Sequence, residues 1–200
     1  GKPIGGGPGY EPVRARGALV AADARQFVEA LGRLARQAPA ERRGAVLFLP
    51  GDATIDLSAQ SGIEVPSGVT IASDRGRNGS PGARLVYDGP ADGKTLLVLQ
   101  EESCVSGVRL RGDSVPFAQW PPRGGPAKAT STICMNVVGA RCEIENCELA
   151  RFARGITIAA PRAWIHHNRL LDIAPYPVCL NVEASSAIIE GNDIGWMWHA

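Results

Sequence analysis

The sequence lacks a dominant charge. Its 21 Lys and Arg face 20 Asp and Glu, leaving a formal net charge of +1 over 200 residues. No chain-wide pull toward nucleic acid or a membrane surface follows from that balance. It also lacks an apolar run long enough to span a bilayer, which takes about 20 residues. The opening, Gly1-Lys2-Pro3-Ile4-Gly5-Gly6-Gly7-Pro8-Gly9, has no hydrophobic stretch of the signal-peptide kind. We expect either a cytosolic chain or a secreted or cell-surface one whose signal has been removed, and the Gly/Pro-rich start suits the second. Metal and redox spacings are missing among the five cysteines, Cys104, Cys134, Cys142, Cys147 and Cys179. Their apolar neighbours mark them as buried free thiols, and the odd count leaves at least one unpaired.

What is present is turn-forming residues in quantity, 24 Gly and 15 Pro, with 44% hydrophobic residues to fill a core. Many short strands fit that mixture. One helix is expected, over residues 24–37. Phe27, Leu31 and Leu34 make its apolar stripe, Asp23 can cap its start with Gln26 in capping-box position, and Pro39 stops it. After Gly44 the pattern is β-rich: Val46-Leu47-Phe48-Leu49, Ile63-Glu64-Val65, Val69-Thr70-Ile71, Arg84-Leu85-Val86-Tyr87 and Leu96-Leu97-Val98-Leu99. No helix-length gap separates these runs, so alternating strands and helices are excluded. A sandwich would share the spacing, so repetition has to decide.

The repetition lies in the second half. Cys142-Glu143-Ile144-Glu145-Asn146-Cys147 aligns on its asparagine with Trp164-Ile165-His166-His167-Asn168-Arg169 and with Ile188-Ile189-Glu190-Gly191-Asn192-Asp193. Ser103-Cys104-Val105-Ser106-Gly107-Val108 is an earlier copy with Gly107 at the asparagine position, and an insertion over residues 113–130 separates it from the next. Asparagine tolerates the left-handed backbone of a sharp turn. In stacked rungs, equivalent side chains sit ~4.8 Å apart, so the amides can bond to one another as a ladder. Asn146, Asn168 and Asn192 are therefore expected to stack, with Ile165 and Ile189 inside the coil.

These residues resemble the pectate-lyase-like superfamily of right-handed parallel β-helices. The helix resembles its N-terminal cap, and Val46-Leu47-Phe48-Leu49-Pro50-Gly51-Asp52-Ala53 and Gly68-Val69-Thr70-Ile71-Ala72-Ser73-Asp74-Arg75-Gly76 resemble its first rungs. The resemblance implies an all-β, right-handed parallel β-helix with an N-terminal capping α-helix. Residues 1–44 would be extension and cap, and residues 45–200 rungs. It also implies an extracellular polysaccharide-processing protein. The chain stops at Trp198-His199-Ala200, within a rung, where such solenoids run on. A longer protein, or self-association through an uncapped C-terminal rung, is the expectation.

Counting from each ladder asparagine groups Arg151, Arg154, Tyr176, Trp198 and His199 in one patch, with Asp172 and Trp196 beside it. A uronate polymer calls for this mixture. Arginine pairs with carboxylates, aromatic faces stack on sugar rings, and β-elimination needs a neutralised uronate and a base for the C5 proton. Tyr176, His199 and Arg154 are the expected catalytic groups; Arg151, Asp172, Trp196 and Trp198 are the expected substrate contacts. A polar outer surface with a few packed aromatics is the plainer reading of the same patch. His166-His167 is a second candidate, beside Glu145 and Glu190 on adjacent rungs. Strand alternation would let only one of the two histidines line a site, and a metal would need more converging ligands. Arg169 and Asp193 are expected to pair across rungs. Glu101, Glu102 and Asp113 could hold Ca2+, as acidic residues do in some pectate lyases, but no dense acidic cluster supports it and no cofactor is expected. The insertion, with Phe117, Trp120, Arg123 and Lys128, is a further place for substrate contact.

A lyase on an acidic polysaccharide is the first expectation, with neither nucleic acid nor membrane as partner. A glycoside hydrolase ranks below it, because the Asn-Thr-Asp and Asp-Asp motifs of polygalacturonases are missing. A non-catalytic glycan-binding module, adhesin- or spike-like, is the third.

Overall fold

Strands of three to five residues, bounded by turn residues, cannot each bury two faces alone; stacked in register, they can. That is the arrangement in the computed structural model, which describes residues 2–11, 13–14, 17–89, 94–112, 132–173 and 178–195. The chain winds into a parallel β-helix with three faces. The first face holds seven strands: Leu19–Val20, Val46–Phe48, Thr70–Ala72, Cys104–Ser106, Glu143–Glu145, Trp164–His166 and Ile188–Glu190. The second holds six: Thr54–Asp56, Arg84–Val86, Arg109–Arg111, Glu148–Ala150, Arg169–Leu171 and Asp193–Gly195. The third holds five: Ile63–Val65, Thr95–Leu99, Ile133–Val137, Arg154–Ile158 and Val178–Val182. Neighbours on each face pair in parallel, one rung apart. The interior is a stack of aliphatic columns, such as Leu47, Ile71, Val105, Ile144 and Ile165, all fully buried. On the last described rung, Ile189 and Ile194 continue the buried columns of Ile165 and Leu170 but are 42% and 41% exposed.

The turns repeat as strictly as the strands. Two residues before each first-face strand from the second onward, Gly44, Gly68, Glu102, Arg141, Arg162 and Ser186 all take a left-handed backbone. Directly after four of these strands, Gly107, Asn146, His167 and Gly191 do the same. Such φ values cost non-glycine residues about 1–2 kcal/mol, which the stacked hydrogen bonds must offset.

The helix runs over Ala24–Ala35, with Asp23 capping it by accepting from the Gln26 amide. Gln26 does not close a capping box on Asp23; its side chain accepts from the Ala22 amide instead. Phe27, Leu31 and Leu34 are buried against the first rung, and Pro39 opens a short second helix, Pro39–Arg42. Leu31→Ala should cost about 2–5 kcal/mol by the usual price of a core cavity. An unchanged melting temperature would mean that the helix does not cap the coil.

One sequence expectation needs a one-residue correction. Glu145 pairs with His166 and Glu148 with Arg169, so Asn146 is in register with His167, and Cys147 with Asn168. The ladder therefore holds two asparagines. Asn168 Nδ2 donates to Ile144 O at 2.8 Å and to Asn192 Oδ1 at 3.1 Å, while Asn192 Nδ2 donates to Ile165 O at 2.8 Å. On the preceding rung the Cys147 thiol takes the asparagine's part and donates weakly to Val105 O, 3.5 Å away. Asn146 sits one position earlier, in the turn, with its amide directed at the N-terminal segment.

The insertion over residues 113–130 lies outside the described residues. All five cysteines are buried and free, and the Arg169–Asp193 pair forms at 3.2 Å.

Candidate functional site

Among the described residues, two places gather chemically capable side chains. The first is the corner between the second and third faces. Ala150 is in register with Leu171, so Arg151 follows the same strand position as Asp172, and both take left-handed turns. This corrects the expected columns, which set Arg151 level with Ile173. Arg111, one rung below Ala150, is exposed. An open pocket of about 200 Å³ lies here, lined by Val86, Tyr87, Asp88, Arg111, Gly112 and Arg151. Gly112 is also the last described residue before the insertion. Arg154 opens the next strand of the third face and is exposed. Further along that face Asn136 and Thr157 are in register on adjacent rungs. Asn136 Oδ1 and Thr157 Oγ1 are buried without a hydrogen-bond partner among the described residues. Polar atoms left so are completed by water or ligand. Of the expected site residues, Arg151, Arg154 and Asp172 thus belong to one corner. Tyr176, Trp196, Trp198 and His199 lie outside the described residues.

The second place is the outer side of the first face, beneath the N-terminal segment. Residues 2–11 and 13–14 run along the stack as a strap. The Gly5 amide donates to Gly191 O, the Gly7 amide donates to Asn146 Oδ1 at 2.7 Å, and Arg14 reaches Glu143 and Thr70. Arg75, largely buried, ties strap to coil by donating to Gly5 O, Asn146 O and Asn146 Oδ1. Tyr10, 1% exposed, donates its hydroxyl to Glu145 Oε2. Ser106 donates to the other oxygen of Glu145 at 2.9 Å. His166, fully buried, contacts Glu143 Oε1 through Nε2 at 3.1 Å, and its Nδ1 is 3.0 Å from His167 Nδ1. Trp164 stacks on the His166 ring with centroids 3.8 Å apart and donates its indole N–H to Glu190.

Burial and charge shift these groups in the expected directions. The His166 hydrogen bond, assisted by Arg14, holds the Glu143 carboxyl below the usual range. Burial, then the Glu145 hydrogen bond, pushes the Tyr10 hydroxyl far up. Burial raises Cys104 well above a free thiol and lowers His167.

Sequence reasoning placed the His166-His167 pair beside Glu145 and Glu190; the register sets His166 level with both. It held that only one of the two histidines could face a site. That fails because His167 is in the left-handed turn, where strand alternation no longer applies, so both rings meet on the outer side. It missed Tyr10, Arg14 and Glu143, whose partners lie more than a hundred residues away or are visible only in correct register. The calcium candidates fare differently. Arg141 bonds Glu101 at 2.6 Å and Glu102 at 2.8 Å, and Arg43 reaches Glu102 at 3.0 Å. Their charge is already matched, and Asp113 is outside the described residues.

No protein-family model, no curated protein and no solved structure matches this chain.

Proposed function

We propose that the chain binds an acidic polysaccharide at the corner of its second and third faces and cleaves it by β-elimination. The observation that carries this is the open pocket holding Arg111 and Arg151 from adjacent rungs, with Arg154 beyond it on the third face. Guanidinium groups clustered at one corner suit a polymer with regularly spaced carboxylates, each able to take a paired hydrogen bond. Fixed positive charge there would also stabilise the enolate-like state that forms when the C5 proton leaves. Tyr176 and His199 are the proposed base and acid.

The test is binding and turnover on a panel of uronate polymers with a neutral glucan as control. Arg151→Ala and Arg154→Ala should each weaken uronate binding by about tenfold or more, the worth of a charged hydrogen bond. The loss should shrink with added salt, which screens exposed charges beyond roughly 8–10 Å. Tyr176→Phe or His199→Ala should lower formation of the unsaturated product with less effect on binding. Equal affinity for neutral and acidic polymers would overturn the reading.

A non-catalytic glycan-binding module is the second reading, and one observation favours it. Among the described residues, the histidines and the Glu143–Glu145 pair lie under the strap on the first face and not at the arginine corner. Uronate binding without any unsaturated product would select it.

A further inference from the structure

Three side chains able to ligate a metal converge on the outer side of the first face, and a fourth, His166, stands against two of them. They come from three consecutive rungs: Cys104, then Glu143 and Glu145, then His166. Cys104, Glu143 and Glu145 each bring a donor atom within 4.8 Å of the others. His166 Nε2 is 3.1 Å from Glu143 Oε1 and 4.0 Å from Glu145 Oε2, and Cys104 Sγ is 3.7 Å from Glu143 Oε2. Tetrahedral zinc, with bonds of about 2.0–2.3 Å, separates its ligands by roughly 3.3–3.8 Å. The Cys104–Glu143 separation falls in that range, and Cys104, Glu143 and Glu145 lie close enough together to share one ion; His166, two rungs from Cys104, meets the group through Glu143. Cys104, Glu145 and His166 are 4%, 2% and 0% exposed, so little water competes for these donors. A thiolate beside carboxylates selects zinc over calcium or magnesium, which take oxygen alone.

A cation already stands at the mouth of this cluster. Arg14 places Nη2 2.8 Å from Glu143 Oε2 and Nε 3.3 Å from Glu145 Oε1, and Nη1 donates to Thr70 Oγ1 at 3.2 Å. Two adjacent carboxylates, one of them buried, require positive charge between them. The guanidinium supplies it from a strap, not from the coil, and its side chain is 34% exposed. It can therefore swing into solvent without disturbing a rung. The strap would keep its other anchors at Gly5, Gly7 and Tyr10.

We propose that Cys104, Glu143 and Glu145 form a zinc site, that His166 orients Glu143 from behind it, and that Arg14 and the metal are alternative occupants of it. On binding, a zinc–sulfur bond replaces the Cys104 S–H bond, the proton passes to solvent, and Arg14 leaves the carboxylates. Metal uptake would thereby loosen one end of the strap.

Cobalt(II), a spectroscopic stand-in for zinc, is titrated into the full chain and into Arg14→Ala. Arg14→Ala should bind one ion per chain at least tenfold more tightly than the unmodified chain, with a thiolate-to-cobalt charge-transfer band that zinc abolishes. Cys104→Ser in the same background should remove that band while the circular dichroism stays that of a folded coil. A folded Arg14→Ala chain that takes up no cobalt would overturn the proposal. So would a band that survives Cys104→Ser, or equal affinity with and without Arg14. Should Arg14→Ala fail to fold, Arg14→Lys replaces it, keeping the charge but not the forked hydrogen bonds. Tighter cobalt binding than in the unmodified chain then supports the site, and no band in either chain rejects it.

Discussion

Asn168→Leu should lower the unfolding free energy by about 2–4 kcal/mol. The side chain is fully buried and nearly equal in size to leucine, so the change leaves little cavity and tests hydrogen bonding alone. Asn168 Oδ1 accepts from the Cys147 amide at 2.9 Å, and Nδ2 donates to Ile144 O at 2.8 Å. Leucine orphans the Cys147 amide inside the coil, at about 1–3 kcal/mol, and removes a second bond at the Ile144 carbonyl, at about 1 kcal/mol. Asn192→Leu should cost less, since Asn192 is only half-buried on the last described rung. Equilibrium urea unfolding of the two variants decides the matter. A loss under about 1 kcal/mol for Asn168→Leu would mean that the ladder decorates the turn and does not hold it.

The same column shows how far the sequence could be read. Aliphatic residues alternating with turn residues located the rungs, and the spacing of Phe27, Leu31 and Leu34 located the cap. Those signals are strong because inward columns and a helix stripe are fixed by burial. The register error arose where two residue types share one role. Asn146 and His167 both accept a left-handed backbone, and Cys147 and Asn168 both donate to a carbonyl of the preceding rung. Aligning asparagine with asparagine matched a turn residue to a ladder residue. Every position between that turn and the third face then shifted by one, which is why Arg151 was set level with Ile173 and not Asp172.

The strap was illegible for a different reason. A run such as Gly5-Gly6-Gly7-Pro8-Gly9 has no hydrophobic period from which to read a conformation. Its order comes from partners far along the chain, as Gly7 to Asn146 and Tyr10 to Glu145 show. Buried Tyr10, Arg75 and Glu145 could have been found only by asking what covers the polar side chains that the first face turns outward. Cys104, Ser106, Glu143, Glu145 and His166 occupy those outward positions on three rungs. A row so polar, yet so buried, requires a cover that is itself polar.

Gly6→Ala should detach that cover while leaving the coil folded. Gly6 has φ +68°, and a Cβ there would stand 2.4 Å from Asn146 Oδ1 and 2.5 Å from His167 O. The left-handed backbone alone costs alanine about 1–2 kcal/mol, roughly a tenfold rise in the opened fraction. The contacts add to this. Asn146 could rotate away, but its Oδ1 would then lose both the Gly7 amide and Arg75. His167 O belongs to the backbone of the turn and accepts no such adjustment without moving the rung. Hydrogen exchange at the Gly7 amide reads the strap directly, and should quicken by more than tenfold. Exchange at Ile144 and Ile165, deep in the coil, should change far less, because the inward columns do not touch the strap. Equal loss of protection at all three would mean that strap and coil unfold as one unit, and unchanged protection at Gly7 would mean that the glycine is not needed for the fit.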